Sequence, residues 1–87
     1  MEVVDVLDAA MYDGRILRVE TKARGVVIGR PTAVDEFDTD PERLGYYVLL
    51  SETRETTVFL DEVTRITDAK TGEVLIDVKT MPQALAV

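Results

Sequence analysis

The sequence predicts a mainly β domain, with a short N-terminal helix followed by five to six short strands wrapped into a small, closed or nearly closed barrel. Three observations predict it. A helical stripe of apolar residues is confined to residues 3–12. Short β-rich runs, broken by turn residues, fill most of the remaining chain. Inside the second of those runs stand Gly29 and Pro31, a pairing that bends a strand and makes that part of it an edge or places it outside the ladder.

In "VVDVLDAAMY", Val3, Leu7 and either Ala10 or Met11 fall at helical spacing, with Asp5 and Asp8 off the stripe. Three valines would also suit a strand; the spacing favours a helix. Asp13-Gly14 ends it, glycine supplying the left-handed conformation of a C-cap. From Arg15 to Thr21, Leu17 and Val19 alternate with Arg18 and Glu20, the pattern of a half-buried strand. "TKARG" is a turn with Gly25 at the positive-φ position. "VVIGRPTAV" is the bent second strand, Gly29 allowing the bend and Pro31 lacking a donor for the ladder. The third strand is "YYVLLSE", with a polar hairpin at "ETRE" leading to the fourth strand "TTVFL". "DEV" is a tight turn into "TRIT", and "DAKTGEVLIDV" is an added C-terminal hairpin over 68–79, with Gly72 in its turn. Residues 81–87 form a tail without a pattern. The whole is one domain over residues 1–80.

Composition narrows the function classes. The chain has 87 residues, 46% of them hydrophobic, and its only aromatic residues are Tyr12, Phe37, Tyr46, Tyr47 and Phe59, so the core must be aliphatic. A chain this short leaves a marginal monomer, because only about 60–65% of its unfolded surface can be buried. Cysteine is absent, which removes disulfides and thiolate metal sites and tilts the expectation toward the cytoplasm. The opening "MEVVDVLDAAMYDGR" is acidic and lacks the features of a signal peptide. No apolar run approaches the roughly 18 residues of a membrane span. Seventeen acids against 10 bases give a net charge of −7, which opposes nonspecific nucleic-acid binding. With no histidine, no cysteine and Ser51 as the sole serine, the inventory for catalysis is poor; the expectation is a noncatalytic protein without cofactors.

Together, "DGRILRVETKARGVVIG", the aspartate Asp35 six residues after Gly29, and "TTVFLDEVTRI" resemble the Sm-like family of SH3-like small barrels. More narrowly, "TAVDEFDTDPE", "YYVLL" and "VFLDEVTRI" are similar to short bacterial Sm-like proteins with an acidic loop. The resemblance covers about residues 3–67. It implies the barrel and a ring of copies, assembled by extending the sheet through the fourth and fifth strands. Its RNA-binding signature is incomplete. Asp38 stands where the family places an asparagine, and "FLDE" lacks the basic residue and glycine that end the family's fourth strand. A carboxylate accepts but cannot donate, and it repels phosphate. The expected role is therefore a binding or assembly module, homo-oligomeric and acting through contacts with protein partners not specified by the sequence. The alternative is an RNA-binding ring that uses Arg15, Arg18, Lys22, Arg24 and Arg30, a basic cluster on the first two strands and their turn.

Two further features bear on binding. Asp38, Asp40 and Glu42 alternate like the first half of a calcium loop, but Arg43 and Leu49 stand where such a loop needs glycine and a bidentate acid. The run also makes sense as a capped loop, with Asp40 as N-cap and Pro41 in the first helical position. Adjacent in a strand, Tyr46 and Tyr47 point to opposite faces, so one is expected in the core and the other at a partner contact or a stacked base.

Overall fold

The computed structural model describes residues 2–36, 44–51 and 53–78. Helix α1 spans Val3–Asp13. The Asp5 carboxylate accepts the Glu2 N–H at 2.9 Å, which occupies one of the orphan donors of the first turn. Gly14, at φ 69°, ends the helix in the left-handed region. Val6, Leu7 and Ala10 are its buried residues, with Val3 and Met11 half-buried beside them, so the predicted stripe is the face that meets the sheet.

Among the described residues six strands come after it: β1 Leu17–Thr21, β2 Gly25–Glu36, β3 Leu44–Ser51, β4 Arg54–Phe59, β5 Val63–Asp68 and β6 Val74–Asp77. A single 3-10 turn, Leu60–Glu62, joins β4 to β5. All neighbours are antiparallel, in the order β4-β3-β2-β1-β5-β6. β1 starts at Leu17 and not at Arg15, because the Arg15 N–H still bonds the Ala10 carbonyl at the helix end (2.9 Å).

β2 organises the molecule. Gly25 to Gly29 pair with Thr21 to Leu17 of β1, whereas Arg30 to Glu36 pair with Leu49 to Leu44 of β3. The strand changes partner at Gly29, and the ladder with β3 shifts register between Pro31 and Ala33. The reason is steric. A Cβ at Gly29 would lie 2.4 Å from the Leu49 carbonyl oxygen and 2.9 Å from Val48 Cγ1, so only glycine lets the two half-sheets approach this closely. Bent in this way, the sheet folds both halves onto one core. Val19, Val27 and Ile66 from one half join Tyr46, Val48 and Val58 from the other, with Leu7 of α1 among them. Each fully buried Val, Leu or Ile contributes about 1.5–3 kcal/mol.

Among the described residues the hydrogen-bonded ladder is nevertheless open, with β4 and β6 as its edges. A small mainly β domain is what was expected; the closure of a barrel is not seen in the ladder. The fifth strand departs from expectation more sharply. Strand addition through "TRIT" would need a free edge on β5, but β5 lies between β1 and β6. The final hairpin covers it, through Arg65↔Asp77, Ile66↔Ile76 and Thr67↔Val74.

Candidate binding surface

Three of the five predicted basic residues are engaged by carboxylates of their own chain. Arg15 sits at the end of α1, 3.7 Å from Asp13 and 3.6 Å from Asp68. Arg18 lies on the outer side of β1, 3.4 Å from Glu20, and that same carboxylate also receives Arg65 from β5. Lys22 is exposed in the β1–β2 turn, and its backbone N–H bonds the Glu62 carbonyl at 2.9 Å. Arg24 reaches across the molecule. Its Nη1 donates to the Thr57 carbonyl at 2.8 Å, its guanidinium lies 5.6 Å from the centre of the Phe59 ring, and its Nε is 3.7 Å from the buried Glu62 carboxylate. Glu62 in turn accepts the Phe59 N–H at 3.2 Å. Together these two side chains occupy backbone groups of β4 and tie the β1–β2 turn to the far half of the sheet. Arg30, like the Lys22 side chain, is exposed and makes no ion pair among the described residues; it stands on β2 just past Gly29.

The two tyrosines separate as their alternation requires. Tyr46 is 1% exposed, and its hydroxyl donates to the Asp8 carboxylate of α1, which ties helix to sheet. Burial, with the neighbouring Asp8 charge, pushes its phenol well above the ordinary tyrosine range. Tyr46 is therefore a core residue and not a partner contact. Tyr47 is half-buried, and its carbonyl accepts from the Thr32 hydroxyl at 3.4 Å. Asp35 pairs with Gly45 at the end of β2, and Asp38, with the rest of the alternating carboxylates, lies outside the described residues. No group of three or more acidic side chains is placed to hold a metal ion among the described residues. No helix there is long and apolar enough to cross a membrane.

Asp68 shapes the last hairpin. Its Oδ1 accepts the N–H groups of Lys70 (2.8 Å) and Thr71 (3.0 Å), and these bonds, with Arg15 nearby, hold its carboxyl below the usual range. The role is to shape a turn.

Beside these basic residues, apolar ones share an exposed surface. On the outer side of the bend, Ile16, Ile28, Leu49 and Leu50 line a groove of about 280 Å³ with Gly14, Gly29 and Arg30. Ile28 is 51% exposed and Ile16 39%. Beside this groove, Arg30 and Gly14 also border a second recess with Met11, Tyr12 and Thr32. Tyr12 is 94% exposed. Sequence reasoning missed this surface, although it left a mark. "VVI" at 26–28 puts apolar side chains on both faces of one strand, and only one face can enter the core. Comparison with family models, curated proteins and solved structures yields no match to this chain.

Proposed function

We propose that the chain is a noncatalytic, Sm-like binding and assembly module that self-associates and works through protein contacts. The observation that carries this reading is the outward apolar surface at the bend, where Ile16, Val26 and Ile28 stand exposed on a small acidic domain. The resemblance to Sm-like proteins is supported by the element order: helix, β1, a β2 bent at Gly29 and shared by two half-sheets, β3, β4, one 3-10 turn, and β5 returning to β1. Because β6 occupies the second edge of β5, copies meet through side-chain surfaces and not through that edge. Association also stabilises a marginal monomer by mass action.

RNA binding finds less support. Arg15, Arg18 and Arg24 each stand within 4 Å of a carboxylate, which leaves few cations for phosphates. Light scattering tests the reading directly. The expected mass is a multiple of the 9.7 kDa chain at high micromolar concentration. A mass of one chain throughout overturns self-association. A retarded band with uridine-rich or adenine-rich RNA at low salt would favour the RNA-binding alternative.

A further inference from the structure

We propose that two copies pair about a two-fold axis, each inserting Tyr12 into the other's groove at Ile16, Ile28, Leu49 and Leu50, with Arg30 facing the partner's helix carboxylates. This rests on the self-association reading and names its contact. The groove accepts an apolar body with a polar tip, since its lining is apolar apart from Arg30 at the rim. Tyr12 has that form, and it is the most exposed of the large hydrophobic residues. A tyrosine buries about 150–250 Å² when covered, and tyrosines are enriched among residues that dominate interfaces.

Position supplies the second reason. Tyr12 and the groove are neighbours on the surface, separated by Gly14 and Arg30, which border both recesses. A two-fold contact uses the same patch on both partners, so a projecting side chain must lie beside its own socket for the two to exchange. Charge supplies the third. Residues 2–13 carry Glu2, Asp5, Asp8 and Asp13 and no base, while Arg30 is exposed and outside any ion pair among the described residues. Two chains of net charge −7 repel each other overall, so a stable pair needs a local contact of opposite sign. Arg30 against the partner's Asp13 provides it: that carboxylate stands 3.7 Å from Arg15 of its own chain yet stays 60% exposed, so it has room for a second cation.

Sedimentation velocity on the full chain across the micromolar range tests this. The wild type is expected to pass from the mass of one chain to that of two as concentration rises. Tyr12→Ala and Arg30→Glu, both changes at exposed positions, should weaken pairing at least about thirtyfold with an unchanged circular dichroism spectrum. Ile28→Asp repeats the test from the socket side. The chain carrying both Arg30→Glu and Asp13→Arg should pair again, because a two-fold contact restores the swapped charges twice. A wild type that pairs, with variants that pair equally well, overturns this surface and leaves self-association standing. A larger assembly in the wild type overturns the two-fold pairing, and a wild type of one-chain mass at every concentration overturns both readings.

Discussion

Arg24 and Arg30 flank the first half of β2, one in the β1–β2 turn and the other just past Gly29, and the sequence groups them in one basic cluster. Arg24 closes its end. It donates to the Thr57 carbonyl, lies over Phe59 and approaches Glu62, so its charge is used inside the molecule. Arg30 leaves its end open, exposed at the rim of an apolar groove. The contrast shows that a cation's role here is fixed by the groups the bend brings opposite to it. At one end the bend delivers β4 and the 3-10 turn to Arg24; at the other it splays Ile16, Ile28 and Leu49 around Arg30.

Both ends depend on the bend itself, so the largest effect should come from Gly29. Gly29→Ala places a methyl group within 2.4 Å of the Leu49 carbonyl oxygen, a backbone atom that cannot turn aside. Overpacking of this kind costs about 3 kcal/mol, which in a domain of this size lowers Tm by about 15 °C. Thermal unfolding followed by circular dichroism would show it. A Tm within a few degrees of wild type would mean that the half-sheets do not approach this closely, and the contrast between the two arginines would lose its basis.

Arg24→Ala should come next. It removes a hydrogen bond worth about 1 kcal/mol and a cation–π contact worth about 0.5–1 kcal/mol. The ion pair to Glu62 adds little, because the Arg24 side chain is 43% exposed and the separation is 3.7 Å. The sum, about 1.5–2 kcal/mol, predicts a fall in Tm of about 10 °C. Arg24→Lys should recover only part, since an ammonium cannot reproduce the planar guanidinium's combination of contacts.

Much of this architecture was legible because it is written locally. The helix stripe, the glycine stop at Gly14 and the pairing of Gly29 with Pro31 are short-range patterns, and each lands where the structure has it. The hairpin that pairs β5 with β6 was legible too, but its consequence conflicted with the expectation of a free β5 edge. Covering by β6 and exposure to a neighbour exclude each other. The partners of the basic residues were not legible, for a different reason. Arg24 lies 33 positions from Thr57 and Arg15 is tied to Asp68 in the last hairpin, contacts set by tertiary folding that spacing along one strand cannot report. Tyr12 was visible only as the end of a helix, because its exposure depends on where the sheet lies beneath the stripe.

Tyr46→Phe probes the tie between helix and core, with a smaller expected loss of about 1 kcal/mol in urea unfolding at neutral pH. Its pH dependence carries the sign. The folded phenol holds its proton at pH values where the unfolded one releases it, so above about pH 10 the unfolded state binds fewer protons. Stability should therefore be whole below that pH and decline as pH rises. The decline should be shallower in Tyr46→Phe than in wild type. Equal slopes would place the phenol in ordinary solvent and contradict its burial against Asp8.

Arg30→Ala should have the smallest effect on stability, and for that reason it separates the two ends most cleanly. At the Arg24 end, removing a guanidinium strips bonds from β4. At the Arg30 end it strips no ion pair among the described residues, so the change in unfolding free energy should stay within about 0.5 kcal/mol. Because association itself raises apparent stability, the measurement belongs at protein concentrations low enough to hold single chains. At higher concentration the two variants should exchange ranks. Arg24→Ala, with its surface intact, should still associate once folded, whereas Arg30→Ala should remain stable and associate less. If Arg30→Ala unfolds as readily as Arg24→Ala in dilute solution, both arginines hold the fold together and the open end of the molecule is not a binding surface.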